Sequence, residues 1–196
     1  VSRVGGRLPK VLDRLREHLP HGDLWVFGYG SLMWNPEFVF EERAAGRVHG
    51  YHRALCIYST RYRGTPERPG LVMGLDRGGS CHGMAFKVPA RNVTETLLSL
   101  WQREMRNRTY DPRLVWVRSA HASVRALAFV VDPGHPHYAG KLAVETIAHR
   151  IASCRGVRGE NSEYLHNTIA HLAALGVHDH RLISVARVLE RLSRTC

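Results

Sequence analysis

The stretch LWVFGYGSLMW, Leu24 to Trp34, decides how the rest of the chain is read. Leu24 to Tyr29 is an apolar run of strand length, so it reads as a buried strand. Gly28, Gly30 and Ser31 then break it, and apolar residues resume at Leu32. A serine nucleophile at Ser31 would need glycine two residues to either side, and Tyr29 and Met33 stand there. A dinucleotide fingerprint G-x-G-x-x-G fits at Gly28 and Gly30 but has Met33 in its third position. No phosphate-binding G-x-x-x-x-G-K-[ST] occurs anywhere. Two readings stay open. The glycines let bare backbone N–H groups approach a small anion, or they make a tight structural turn.

Outward from this strand, further strands are predicted over Val48 to Tyr58, Leu71 to Leu75, Gly83 to Val88, Leu114 to Val117 and Val124 to Val131. Turn-rich pieces such as Gly64-Thr65-Pro66-Glu67-Arg68-Pro69-Gly70 separate them. Helices are predicted over Pro89 to Met105, Leu142 to Ser153, Asn161 to Leu175 and Asp179 to Arg194. Asp179 suits an N-cap and Gly176 a C′ position. Leu8 to Leu19 also has helical spacing and ends at Pro20. Residues 1–22 therefore read as an N-terminal helical extension and 23–196 as one domain. Strands in the first two thirds and helices in the last third make the fold class α+β: a small barrel-like, antiparallel or mixed sheet with helices packed on it.

Composition narrows the function classes. Hydrophobic residues make up 44% and charged residues 23%, as in an ordinary soluble globular protein. No apolar run reaches the roughly 20 residues of a membrane helix, and no secretory signal is visible, so the expectation is a cytoplasmic protein without a membrane partner. Lys and Arg number 28 against 17 Asp and Glu, a formal charge of +11. That excess suits nucleic acid or a small polyanionic metabolite. The arginines are dispersed, and only Tyr58-Ser59-Thr60-Arg61-Tyr62-Arg63 mixes aromatic and basic residues, so a small molecule is favoured and no nucleic acid is expected. Cys56, Cys81, Cys154 and Cys196 form no C-x-x-C and read as reduced thiols. His135-Pro136-His137 and His178-Asp179-His180 lack metal-site spacing. Neither a metal nor another cofactor is expected.

One carboxylate stands on the wrong face of its helix. Val93, Leu97 and Leu100 form the apolar stripe of the predicted helix, and Glu104 continues it. A carboxylate in that place is costly unless it is paired or neutral, and desolvation alone raises its pKa. Either Arg103, Arg106 or Arg108 pairs with it as a structural contact, or it is a general base tuned toward neutrality.

These residues together resemble a known family. Val26-Phe27-Gly28-Tyr29-Gly30-Ser31-Leu32-Met33-Trp34 and Gly50-Tyr51-His52-Arg53 are similar to motifs of the ChaC-type γ-glutamylcyclotransferases. So are Arg63-Gly64-Thr65 with Pro69-Gly70, Arg103-Glu104 at a helix end, Tyr138 in Y-x-G, and Gly159-Glu160-Asn161-Ser162-Glu163-Tyr164-Leu165. The motifs run in order from about Leu24 to Leu189. One departure follows the R-E pair. Many members have G-G-Y there, whereas this chain has Met105-Arg106-Asn107-Arg108-Thr109-Tyr110, a longer link without the glycines.

The resemblance implies a γ-glutamylcyclotransferase-like fold and cleavage of a γ-glutamyl amide, glutathione first, without water, metal or redox cofactor. The substrate's own α-amine attacks its γ-carbonyl, giving 5-oxoproline and, from glutathione, Cys-Gly. Other γ-glutamyl amides, or a silent pocket that only holds an anionic metabolite, are the alternatives. Glu104 takes the general acid/base role. Tyr29, Gly30, Ser31 and Leu32 hold the γ-glutamyl head, Gly30 because a Cβ there would hold the ligand off. Tyr110, Tyr138 and Tyr164 are candidate substrate contacts. Arg53 either steers a substrate carboxylate or braces the sheet, and Glu160 and Glu163 are helix N-terminal charges.

Overall fold

The computed structural model describes residues 22–104 and 109–195. The expected helix over Leu8 to Leu19, with the rest of the 1–22 extension before Gly22, lies outside the described residues, as do Met105, Arg106, Asn107 and Arg108.

Alternation and burial build a small barrel. Its strands are β1 (Leu24–Gly28), β2 (Glu42–Ser59), β3 (Gly70–Val88), β4 (Tyr110–Arg118) and β5 (Ser123–Val131), in the closed order β1-β3-β2-β4-β5. Neighbours are antiparallel except where β5 runs parallel to β1, with Trp25 beside Ala126 and Val26 beside Leu127, and parallel to β3, where Leu75 meets Val130. Closure removes exposed strand edges around most of the ring.

The uninterrupted apolar runs of β1 and of Ala126 to Val131 in β5 follow from packing on both faces. Leu24, Val26, Leu127 and Phe129 face helix α1 (Val93–Glu104), where they meet Leu97 and Leu100. The alternate residues Phe27, Ala126, Ala128 and Val130 join the larger core. That core extends to α2 (Val144–Ala152), α3 (Asn161–Ala174) and α4 (His180–Thr195) through Ile147, Ile151, Leu165, Leu172, Val185 and Leu189. Two short strands, β6 (Arg155–Gly156) and β7 (Gly159–Glu160), form a hairpin before α3.

One expectation is corrected. Leu71 to Leu75 and Gly83 to Val88 are not two strands but parts of the single bent strand β3. The pairing with β2 shifts between His49 and Tyr51, opposite Gly78 and Gly79. Gly50, Gly78 and Gly79 adopt φ of 83°, 91° and 70° there. The glycines bend the ladder as a bulge does, instead of ending it as a turn would. The expected helix caps are present: the Leu182 N–H donates to Asp179 Oδ1 at 3.1 Å at the start of α4, and Gly176 takes φ 70° after α3.

Candidate active site

The barrel leaves one edge to be satisfied by side chains. β1 pairs with β3 only from Met84 to Val88 and β5 meets it only at Leu75, so among the described residues no strand pairs with the outer edge of β3 at Leu71 and Met73. Asn161, fully buried at the start of α3, takes the place of a strand: its Nδ2 donates to Leu71 O and its Oδ1 accepts from Leu71 N, both at 2.7 Å. Two residues on, the Met73 N–H donates to the Tyr164 hydroxyl at 3.2 Å, and the Tyr110 hydroxyl donates to Met73 O at 3.1 Å. Without these partners the buried main chain would carry orphaned polar groups. A cavity of about 660 Å³ opens beside this edge, within the size range of small-molecule sites.

The Tyr29-Gly30-Ser31-Leu32 segment forms the cavity's floor. β1 ends at Gly28, and a 3-10 turn follows over Ser31–Met33. Its first bond runs from the Met33 N–H to Gly30 O at 2.9 Å, so the N–H groups of Ser31 and Leu32 are not used within it. At position 30 protein packing is tight as well: a Cβ there would stand 3.0 Å from the Tyr164 hydroxyl and 3.3 Å from Met73 Cβ, so those side chains would have to give by a few tenths of an ångström. Tyr29 is turned inward: its hydroxyl donates to Phe129 O at 2.6 Å, and burial pushes that hydroxyl's pKa well above the ordinary value.

Glu104 closes α1 on the cavity wall, with its side chain 17% exposed. It does continue the apolar stripe, behind buried Leu97 and Leu100. The expected arginine pair is present, and the proton affinity is raised as well. Glu104 pairs with Arg103, whose Nε lies 3.0 Å from Glu104 Oε1. Burial nevertheless wins over the attraction of Arg103 and Arg158, with Glu37 adding like-charge repulsion, so the Glu104 carboxyl sits above its usual range.

Arg103 organises the rest of the wall. It donates to Ser31 Oγ at 2.7 Å and Asn35 O at 2.6 Å, and pairs with Glu37 Oε2 at 3.1 Å. One guanidinium thus ties the catalytic candidate to the glycine loop. Glu37 also receives Arg158 at 3.4 Å. Burial would raise the Glu37 carboxyl, but the two arginines outweigh it and hold it below the usual range.

The cavity brings together Tyr29, Gly30, Ser31, Leu32, Glu104, Tyr110 and Tyr164. Two candidates lie elsewhere. Arg53 is buried away from the lining, donates to Tyr29 O at 2.6 Å and to His82 O, and pairs with Asp179 at 3.5 Å. Of its two expected roles it fills the bracing one, holding the glycine loop to the N-cap of α4. Tyr138 likewise does not line the cavity, because its hydroxyl donates to Asp76 Oδ2 at 2.8 Å, a bond that pushes its pKa up to about 12. Glu163 and Glu160 serve as ion-pair partners of Arg63 and Arg155 at the start of α3.

Sequence reasoning missed Trp34, Glu37, Tyr58, Tyr62, Arg61, Arg63 and Arg158 as cavity residues. The aromatic and basic stretch Tyr58 to Arg63 was the signal for four of them, and it lines the cavity. Among the described residues, no group of three or more His, Cys, Asp or Glu is placed to hold a metal ion, and no helix is long and apolar enough to cross a membrane.

A barrel opened beside one strand edge, with a half-buried glutamate on the same cavity as a glycine loop, defines a γ-glutamylcyclotransferase-like fold. Two solved structures of a glutathione-specific γ-glutamyl cyclotransferase from yeast share it, with TM-scores of 0.79 and 0.78 over 87% of this chain and 96% and 99% of theirs, at 20% and 22% identity. The family model described as ChaC-like protein matches residues 24–192, and the chain belongs to that family. It is 38% identical to the glutathione-specific γ-glutamylcyclotransferase of Escherichia coli strain K12 over 86% of this chain and 75% of that protein. To glutathione-specific γ-glutamylcyclotransferase 1 of Mus musculus it is 40% identical over 72% of this chain and 66% of that one. γ-Glutamylcyclotransferase 2-3 of Arabidopsis thaliana is 33% identical over 86% of this chain and 89% of its own length.

Proposed function

We propose that this chain is a γ-glutamylcyclotransferase that converts glutathione to 5-oxoproline and Cys-Gly, with Glu104 as its general acid/base. The observation that carries the reading is a half-buried carboxylate of raised proton affinity on the wall of a cavity whose floor is the glycine loop.

The γ-glutamyl head enters with its α-carboxylate toward the N–H groups of the Tyr29–Leu32 loop. The cavity folds the head so that the α-nitrogen meets the γ-carbon. Such an orientation contributes about 7–11 kcal/mol toward the barrier in well-aligned intramolecular reactions. Glu104 takes one proton from the α-ammonium, and the freed amine forms the new C–N bond at the γ-carbon, its nitrogen still carrying two protons. As the tetrahedral centre collapses, the bond to the cysteinyl nitrogen breaks and Glu104 returns the first proton to that nitrogen; the ring nitrogen then gives its second proton to Glu104, which passes it to the released amine. The ring product is 5-oxoproline with one N–H, Cys-Gly leaves as its ammonium form, and the carboxylate ends as it began. A raised pKa suits both halves, because it makes Glu104 a better base when ionised and keeps the proton available for return. Tyr110 and Tyr164 wall the site and hold the Met73 edge in place.

The buried free thiols Cys56, Cys81 and Cys154 fit a reducing compartment, and we place the activity in the cytoplasm.

The test is 5-oxoproline release from glutathione beside γ-Glu-Ala and γ-Glu-ε-Lys, with Glu104→Gln as control. Release from glutathione, lost by at least about 100-fold in the control, is expected. Release only from another amide changes the substrate and keeps the chemistry. Full activity of Glu104→Gln refutes the assigned base.

A further inference from the structure

Four arginines line the cavity: Arg61, Arg63, Arg103 and Arg158. Three are committed to the protein. Arg103 is held by Ser31, Asn35, Glu37 and Glu104. Arg63 donates to Glu160 O at 2.8 Å, pairs with Glu163 at 2.9 Å and lies over the Tyr164 ring at 5.5 Å. Arg158 pairs with Glu37 at 3.4 Å and lies over the Tyr62 ring at 4.7 Å.

Arg61 differs from all three. Its side chain is exposed, lines the cavity and has no hydrogen-bond, ion-pair or ring partner among the described residues. Its main chain, by contrast, is fixed. Arg61 O accepts the Val157 N–H at 2.9 Å, and Tyr62 O accepts the Arg158 N–H at 3.0 Å, so the β6–β7 hairpin holds the base of the side chain. A pinned backbone carrying an uncommitted guanidinium is a cation presented to whatever fills the cavity.

The substrate of the reaction above carries two carboxylates. The one on the γ-glutamyl head belongs with the glycine loop near Glu104. The other ends the released peptide and has no assigned partner. We propose that Arg61 binds this C-terminal carboxylate, so that the enzyme favours γ-glutamyl peptides with an anionic tail over γ-glutamyl amides without one. A guanidinium fork suits a carboxylate, which it can meet through two parallel hydrogen bonds. The inference rests on the cyclotransferase reading but concerns only the leaving-group end of the cavity.

A contact so far from the reacting bonds is the same in ground state and transition state, so it acts on KM and not on kcat. The experiment compares glutathione with glutathione whose glycyl carboxylate is a neutral carboxamide, using the full chain, Arg61→Ala and Arg61→Lys. The unaltered protein is expected to show a KM about 10-fold lower for glutathione than for the capped peptide. Arg61→Ala should raise the glutathione KM to that of the capped peptide, leaving kcat and the capped peptide's KM unchanged. Arg61→Lys should fall between. Equal effects of Arg61→Ala on both peptides, or no effect on either, would overturn the contact. Absence of 5-oxoproline from either peptide with the unaltered protein defeats the reaction reading instead. Calorimetric binding of the two peptides to the unaltered and Arg61→Ala proteins then tests the contact by itself. A preference for glutathione that Arg61→Ala abolishes supports it, and no preference overturns it.

Discussion

Asn161 is the residue on which the open edge of the barrel most depends, and changing it tests that account in two ways. Asn161→Ala removes both partners of Leu71, a residue with no exposure of its own. Each buried group left unpaired costs about 1–3 kcal/mol, which bounds the loss at roughly 2–6 kcal/mol. Water admitted to the small void brings the expected loss to about 3 kcal/mol. For a chain of this size that lowers Tm by roughly 6–12 °C. Asn161→Asp is the sharper variant. One carboxylate oxygen keeps the bond from Leu71 N, but the other meets Leu71 O at 2.7 Å with no proton between two acceptors. Only the protonated acid reproduces the amide, so the folded state raises the pKa of the introduced carboxyl.

The sign follows from linkage. With a folded pKa above the unfolded value, the native state binds the proton more tightly. Asn161→Asp is then closest to the unaltered protein below the unfolded pKa, and it loses stability as pH rises through the folded pKa, by up to about 1.4 kcal/mol per pH unit. The assay is urea unfolding of all three proteins from pH 4 to pH 8, each variant read as a difference from the unaltered chain. Asn161→Ala should give a flat difference and Asn161→Asp a falling one. If Asn161→Asp tracks the unaltered protein to pH 8, or Asn161→Ala costs less than about 0.5 kcal/mol, then the side chain does not stand in for a strand and the reasoning is refuted.

Four further outcomes are expected. The acidic limb of the kcat/KM profile for glutathione should have its midpoint above the ordinary carboxylate range, because Glu104, as the proposed base, has to be ionised to accept a proton and its pKa is raised. Arg158→Gln should move that midpoint higher, since Arg158 is among the charges that lower the Glu104 pKa; an unmoved profile would show that another group titrates. Gly30→Ala should reduce kcat/KM and stability together, as the new methyl displaces Tyr164 or Met73, and thermal melts beside kinetics will read both. Arg53→Met should lower kcat/KM through the loosened Tyr29 carbonyl and be less stable by several kcal/mol, with Asp179 left unpaired near the N-cap, which unfolding by urea will measure.

Much of this was legible in the residues, for physical reasons that differ from element to element. The run Leu24 to Phe27 looked buried because it packs against α1 on one side and the larger core on the other. Glu104 was visible because a helix repeats every 3.6 residues and its stripe can be counted. β3 was misjudged at its centre. Glycine-rich sequence marks a bulge and a turn alike, and only the partner strand decides which. The role of Arg53 could not be settled for a similar reason. A lone arginine after a strand shows its chemistry but not its partners, and three sequence-distant groups, Tyr29 O, His82 O and Asp179, claim it here. Tyr138 was drawn away by Asp76, a carboxylate 62 positions earlier. The cavity's arginines hid among 28 basic residues because nothing local separates a wall residue from a solvated one.

Glu104 joins the fold to the chemistry through a conflict that can be measured. Its carboxyl is raised chiefly by burial, so the ionised form that the proposed base requires is the form the folded state tolerates less. By linkage, a raised folded pKa means that stability is greatest below the unfolded pKa and falls as pH rises through the folded value. Glu104→Gln removes the titration while keeping the shape, and Arg103 retains Glu37, Ser31 and Asn35 O as partners. The variant should therefore gain stability relative to the unaltered protein as pH rises from 4 to 8, while losing at least about 100-fold in turnover. Urea midpoints across that range, beside 5-oxoproline release, give both quantities on one pair of proteins. Lost turnover with a stability difference that falls as pH rises would mean that the Arg103 pair outweighs burial. Glu104 would then work from a lowered pKa, as an orienting charge and not as a base.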